Sequence, residues 1–344
     1  MNRRRFISMS ALGAALNPLS GRGDTVGADT YFKPCAPLPE LPLPPSEAVT
    51  RSFFPGFSSH SVKTSGAIIN ALKGGEGPPL LLLHGHQQTH VAWHKIANDL
   101  AREYTVVLPD LRGYGDSSKP DGGVRHADYS FRAMAQDQVE TMRQFGFERY
   151  LVAGHDRGAR VAHRLCLDHP ESVEKVCVMD IVPTLTMYND TNKEFATRYV
   201  WWFFQIQPAP MPEHMIGQDP EFYLREHLSI QGKTPGAVTP EAMAEYLRCY
   251  CCSGTIHAAC EDYRAAADID LEMDEADDKA GRKITAPLLA LWGAKGVVGE
   301  MWDVLSTWRS KATSVNGRAL DCGHLLPEER PQEVLAEMRQ FFHK

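Results

Sequence analysis

The stretch VAGHDRGAR, residues 152–160, restricts what this chain can become more than any other. A short apolar run leads into it and an amphipathic, helix-like pattern leaves it, with Gly154 and Gly158 on either side of Asp156. Glycines two before and two after the tip let a helix fold back tightly on the strand it follows, and the bend lifts the tip residue out at a strand end. The tip normally presents a serine. Here it presents Asp156, with Arg157 directly after it and Arg160 three residues on.

Apolar runs surround the elbow at regular intervals. HSVKTSGAIINALKGG (60–75) reads as a hairpin of two strands, and PPLLLLHGH (78–86) as a buried strand ended by glycine. VAWHKIANDLARE (91–103) reads as a helix, and YTVVLPDLRGYGDS (104–117) as the next strand and loop. FRAMAQDQVETMRQFGF (131–147) has surface-helix spacing, RYLVAGHD (149–156) feeds the elbow, and VEKVCVMDIVP (173–183) is a further strand. This alternation predicts an α/β chain: a mostly parallel twisted sheet with helices on both faces, binding ligands beyond the carboxyl ends of its strands. The rhythm stops over 184–282, which is rich in Trp, Tyr, Met and Pro without a clear apolar strand, and resumes at APLLALWGAKG (286–296). The expected organisation is therefore a core of 51–183 and 283–344 with an inserted helical cap, 184–282.

Before residue 51 the character changes. Arg3, Arg4 and Arg5 lead into a weakly apolar, small-residue segment ending in VGA (26–28). That order suits a twin-arginine export signal over 1–28, with a periplasmic or exported mature protein; a leader that is not a signal leaves it cytoplasmic. The proline-rich 29–50 reads as a linker or surface strap. A net charge of −7 without a long basic run speaks against nucleic acid as partner, and no apolar stretch is long enough for a membrane span. The 8 cysteines lack the C-x-x-C and histidine spacing of a zinc site and read as free thiols. A homodimer is compatible with the sequence, which does not decide the oligomeric state.

An aspartate at the elbow is ionised at neutral pH and can displace a leaving group at saturated carbon, forming an ester on the protein. A base must then activate water against that ester. His324, in DCGHLLPEE after a predicted strand end, is the candidate. A third group has to orient the histidine. After the insertion, Lys295 and Gly296 stand where an acid could, whereas Asp180 ends the strand before it, so Asp180 is the choice. Two backbone N–H groups, of His86 and Arg157, are expected to receive the oxyanion of ester hydrolysis. Arg157 and Arg160 share a helix face and form a clamp for a substrate carboxylate. No metal or organic cofactor is needed for this chemistry.

HGHQQTHVAWHKIA (84–97), GHDRGAR (154–160), WWFFQIQPAPMPE (201–213) and CEDYRAAADID (260–270) together resemble the fluoroacetate (haloacetate) dehalogenase family of the α/β-hydrolase fold, over roughly residues 50–344. The resemblance also puts the orienting acid at Asp180. It implies a halide pocket made by Trp202 and Tyr263, with Trp201 where the family carries a histidine. An indole N–H donates once and cannot become positively charged, so fluoride, the most strongly hydrated halide, should suffer most. The expected activity is hydrolysis of small 2-halo acids, with chloro- or bromoacetate handled at least as well as fluoroacetate.

The main alternative is an epoxide hydrolase with the same nucleophile and base, for which Tyr188, Tyr199, Tyr223, Tyr246, Tyr250 and Tyr263 are candidate proton donors. A neutral epoxide would leave the arginine clamp unpaired. A non-catalytic carboxylate binder makes no use of the Asp, His and Asp set.

Overall fold

The computed structural model describes residues 52–343 apart from 253, together with residue 48. The export-signal and linker readings, over 1–28 and 29–50, lie outside the described residues except at 48.

Eight strands form one sheet in the order β1-β2-β4-β3-β5-β6-β7-β8. They are β1 (Ser58–Lys63), β2 (Ile68–Gly74), β3 (Pro79–Leu83), β4 (Thr105–Pro109), β5 (Tyr150–His155), β6 (Val173–Met179), β7 (Leu288–Gly293) and β8 (Val315–Leu320). The hairpin β1–β2 and the β2–β4 pair are antiparallel, and every pairing from β4 to β8 is parallel. The apolar runs are unbroken because the sheet is buried on both sides and successive side chains alternate between two cores. Leu81, Leu83, Val107, Val152 and Val178 join one core, whereas Leu80, Leu82, Val106, Leu108, Ala153 and Met179 join the other.

The first core is covered by α1 (Phe131–Gln144) and α2 (Arg157–Asp168), through Met134, Val139, Val161 and Leu165. Ser130 caps α1 by accepting a hydrogen bond from the Ala133 N–H, which fixes where that helix begins. Trp93, Ile96 and, near the C-terminus, Leu335 and Met338 cover the second core. A leucine-to-alanine change in either layer costs about 2–5 kcal/mol.

One expected helix is broken. The 91–103 region forms a 3-10 turn over His90–Trp93 and a short helix over Ala97–Leu100. The Val91 carbonyl is taken by the N–H and the ring of His94, at 2.9 and 2.8 Å, so the regular i to i+4 bond cannot form there.

Between β6 and β7 the chain is helical. The longer helices are α3 (Pro220–Gln231), α4 (Pro240–Tyr250), α5 (Thr255–Ala267) and α6 (Ile269–Lys279), with shorter ones from Thr184 to Gly217. After β7 come α7 (Val304–Lys311) and α8 (Pro331–His343). No helix among the described residues is long and apolar enough to cross a membrane. Among the described residues Cys166, Cys177, Cys249, Cys252, Cys260 and Cys322 are free thiols, and Cys252 is the exposed one.

Candidate active site

Asp156 takes φ 48° and ψ −116° at the junction of β5 and α2. That is a costly backbone for a residue with a side chain, on the order of 1–3 kcal/mol, and it persists where the surroundings over-determine it. The two flanking glycines do so. A Cβ on Gly154 would lie 2.5 Å from the Gly158 carbonyl, and one on Gly158 would lie 2.4 Å from that of Leu83. Any larger residue would push α2 off the sheet and relax the bend.

The ends of β3, β5 and β6 and the loop after β8 converge on this tip. The His86 N–H donates to Asp156 Oδ1 at 2.8 Å, which leaves Oδ2 to face His324 Nε2 at 3.6 Å. On its other side His324 Nδ1 donates to Asp180 Oδ2 at 2.6 Å. Asp180 Oδ1 accepts the Gly293 N–H at 2.8 Å, so both carboxylate oxygens are fixed. Arg157 opens α2, and its N–H is one of the first-turn amides that have no carbonyl within the helix. The sequence candidates Asp156, His324, Asp180 and His86 thus lie together, all buried.

Burial pulls His324 down, but the hydrogen bond and charge of Asp180, with Asp156 behind them, carry it above its ordinary value of 6.5. Burial would raise Asp156. The charges of His324, His155 and Arg160 and the His86 N–H outweigh that and hold it far below the usual carboxylate range. The pair can therefore present an ionised oxygen and, above the pKa of His324, a neutral ring nitrogen.

The two arginines are buried and held differently. Arg157 pairs with Asp262 of α5: Nε donates at 2.9 Å and Nη2 reaches both the carboxylate and the Asp262 carbonyl. Its guanidinium is sandwiched by Tyr263 at 4.2 Å and Phe131 at 4.8 Å. Arg160 meets no acid within ion-pair distance among the described residues; Nη1 donates to the Val182 carbonyl at 3.1 Å and to Thr184 Oγ1 at 2.9 Å. Each keeps one buried N–H group without a partner among the described residues, Nη1 of Arg157 and Nε of Arg160. Unsatisfied buried donors cost about 1–3 kcal/mol each, more when charged, and such groups in a site are suited to a ligand.

Trp202 and Tyr263 stand face to edge with centroids 6.0 Å apart, and Arg160 lies over the Trp202 ring at 4.7 Å. The Trp202 Nε1–H is buried and unpartnered. Trp201, with Tyr199, Gln231, Gly296, Val297 and His324, lines a cavity of about 210 Å³ that reaches the histidine.

Sequence reasoning missed several residues that complete the arrangement. Asp262 accepts not only from Arg157 but also from the Tyr114 hydroxyl at 2.6 Å, and that hydroxyl touches His86 Nδ1 at 3.2 Å. The one signal for Asp262 was its place beside Tyr263 in CEDYR. Gln205 meets the other His86 nitrogen at 3.3 Å. His227, on α3, packs edge-on against Trp201, and no local motif pointed to it. Away from the site, Glu213, His257 and Glu261 gather within metal-ligand distance of one another, but Arg264 already meets both carboxylates, at 2.6 and 2.8 Å. That group reads as an ion-pair knot.

Comparison with known proteins agrees with the geometry. Residues 78–331 match the family model for the alpha/beta hydrolase fold. A fluoroacetate dehalogenase from Burkholderia sp is 42% identical over 84% of this chain and 94% of its own length. This chain belongs to the haloacetate dehalogenase-like alpha/beta hydrolases. It is accordingly an enzyme of the hydrolase superfamily. Within the same range, a soluble epoxide hydrolase from Corynebacterium sp. (strain C12) is 33% identical over 82% of the chain and 96% of its own length. The crystal structure of ALR0039 from Nostoc sp PCC 7120, described as an alpha/beta hydrolase, superposes with a TM-score of 0.82 at 56% identity, covering 84% of this chain and 99% of that one.

Proposed function

We propose that the enzyme hydrolyses small 2-halo carboxylic acids, converting a haloacetate to glycolate and halide through an ester on Asp156. Oδ2 attacks the halogen-bearing carbon; the new C–O bond forms as the C–halogen bond breaks, and the bonding pair leaves on the halide. Water then attacks the ester carbonyl carbon and gives its proton to His324, whose imidazolium Asp180 steadies. The oxyanion develops on Oδ1, which already rests on the His86 N–H at 2.8 Å. Collapse of that intermediate breaks the bond between the Asp156 carboxyl carbon and Oδ2, and glycolate leaves with that oxygen, which takes the proton back from His324.

One observation carries the substrate class: two buried guanidiniums beside the nucleophile each keep an N–H group unpartnered, Arg157 Nη1 and Arg160 Nε. A carboxylate satisfies both, and its charge is the one the site otherwise repels. Trp201 argues that chloro- and bromoacetate are turned over at least as well as fluoroacetate, because fluoride needs the strongest donors. A neutral epoxide uses neither arginine. Of its candidate proton donors, Tyr246 already gives its hydroxyl proton to Glu328 at 3.1 Å.

Incubating a His324→Ala variant with chloroacetate tests the reading. Mass spectrometry should find a carboxymethyl ester on the peptide containing Asp156. Turnover of styrene oxide without release of halide from any haloacid would overturn it.

A further inference from the structure

A halide departing from carbon needs hydrogen-bond donors on the side away from Asp156. Trp202 offers a buried, unpartnered indole N–H, and Trp201 lines the cavity at His324. Another buried donor group stands close by. We propose that His227 is a residue of the leaving-group pocket, its neutral ring N–H donating to the departing halide; this rests on the haloacid reading above.

The helix that carries His227 is tied to the catalytic histidine. The Gln231 carbonyl at the end of α3 accepts the His324 N–H at 3.1 Å. His227 lies four residues earlier, one turn along the same face. Its ring packs edge-on against Trp201 at 4.4 Å and against His86 at 5.2 Å. Tyr263 packs on the same His86 ring at 4.8 Å, so Tyr263 and His227 both border the residue whose N–H holds Asp156 Oδ1. His227 is 4% exposed, and its Nε2 has no hydrogen-bond partner among the described residues. A buried imidazole nitrogen left unpartnered costs stability unless a ligand uses it.

Trp201 and His227 form a unit. The indole lines the cavity at His324, and the imidazole seated edge-on behind it, between Trp201 and His86, brings a ring nitrogen from a different helix. Burial drives the His227 pKa down to about 3, so the ring stays neutral at working pH. A neutral donor holds a halide without tightening on it as an imidazolium would. In the displacement the electron pair of the C–halogen bond leaves on the halide, no proton moves, and the His227 N–H bond stays intact.

Two variants test this: His227→Phe, which keeps the ring and removes the donor, and His227→Gln, which restores one. Halide release is measured with fluoro-, chloro- and bromoacetate, and bromide affinity is measured by quenching of tryptophan fluorescence. Loss of a hydrogen bond to an anion corresponds to roughly tenfold or more. His227→Phe should therefore lose about tenfold in kcat on fluoroacetate but less than about threefold on bromoacetate, where the leaving group needs less help, and should bind bromide about tenfold more weakly. His227→Gln should recover most of the fluoride loss. Equal losses on all three acids, or unchanged bromide affinity in His227→Phe, would mean that the ring only packs, and the proposal fails. Should the wild-type enzyme release no halide from any acid, the haloacid reading fails by itself. The bromide titration then decides for or against His227 alone.

Discussion

Replacing Arg160 with methionine separates a substrate clamp from a structural arginine. The guanidinium is buried with no acid in ion-pair contact, and burial pulls its pKa below the ordinary value, offset in part by the charge of Asp156. Folding therefore gains little from that cation: three hydrogen bonds, to the Val182 carbonyl, Thr184 Oγ1 and the weak acceptor Met187 Sδ, are set against the burial of a charge. Arg160→Met should shift Tm by only a few degrees. Substrate binding is another matter. A hydrogen bond between charged partners is worth about 1.5–3 kcal/mol. Two carboxylates about 4 Å apart repel by about 4 kcal/mol at an effective dielectric near 20, and a cation between them removes much of that. Together these predict that kcat/KM for bromoacetate falls by roughly a thousandfold or more, since each factor of ten corresponds to about 1.4 kcal/mol. Bromoacetamide carries the same leaving group without the charge and should lose less than about tenfold. The assay is bromide release from both compounds by wild type, Arg160→Met and Arg160→Lys, with lysine intermediate because it keeps the charge and loses the planar fork. Equal losses on acid and amide would refute the clamp and make Arg160 a support for the Val182–Thr184 turn.

Three further outcomes follow from the same geometry. Because Asp180 and Asp156 raise His324 above 6.5 and the base must be neutral to activate water, the rate of ester hydrolysis, and kcat where that step limits, should climb with pH through an apparent pKa above 6.5. Asp180→Asn should move that limb to lower pH and slow turnover by roughly a hundredfold or more; an unmoved limb in a pH–rate profile contradicts the assigned orientation. Trp201→His should raise fluoride release from fluoroacetate relative to chloride release from chloroacetate, and no gain in a fluoride-electrode assay with the fold intact would put Trp201 outside the halide pocket. Glu328, held by Gln88 at 2.6 Å and Tyr246 at 3.1 Å, is pushed by burial up to about 8. Its folded-state pKa lies above the unfolded one, so its contribution is complete below about 4.5 and is lost as pH rises through 8, on the order of a few kcal/mol. Urea midpoints should fall between pH 6 and 9 in wild type and stay flatter in Glu328→Gln, and parallel slopes would refute the burial argument.

What the sequence made legible was tied to strand ends. Asp156, Asp180, His86 and His324 each stand just beyond an apolar run or a glycine turn, and a parallel sheet brings such ends together whatever the loops contain. The strands could likewise be read from the runs, because a strand buried on both faces is apolar throughout. The 91–103 segment went wrong because its apolar spacing suits a helix, while the side chain of His94 competes for a backbone carbonyl that the spacing does not register.

The insertion obeys no comparable rule. Helix spacing tells which side of α5 is buried, but not that Asp262 meets an arginine 105 residues earlier in the chain, nor that His227 on α3 finds Trp201. Those contacts depend on how helices without a shared sheet settle against one another, which local pattern leaves open. The consequence reaches the chemistry. On the proposed reading the strand-end groups of nucleophile, base and orienting acid could equally open an epoxide or displace a halide; Arg157 and Arg160 on α2 favour a carboxylate, and the insertion adds Trp202, Tyr263, the proposed His227 and the Asp262 that fixes Arg157. Asp262 also joins Arg157 to Tyr114 and, through that hydroxyl, to His86. Exchanging insertion residues while keeping the four strand-end groups should therefore change which leaving group is accepted before it abolishes formation of the Asp156 ester.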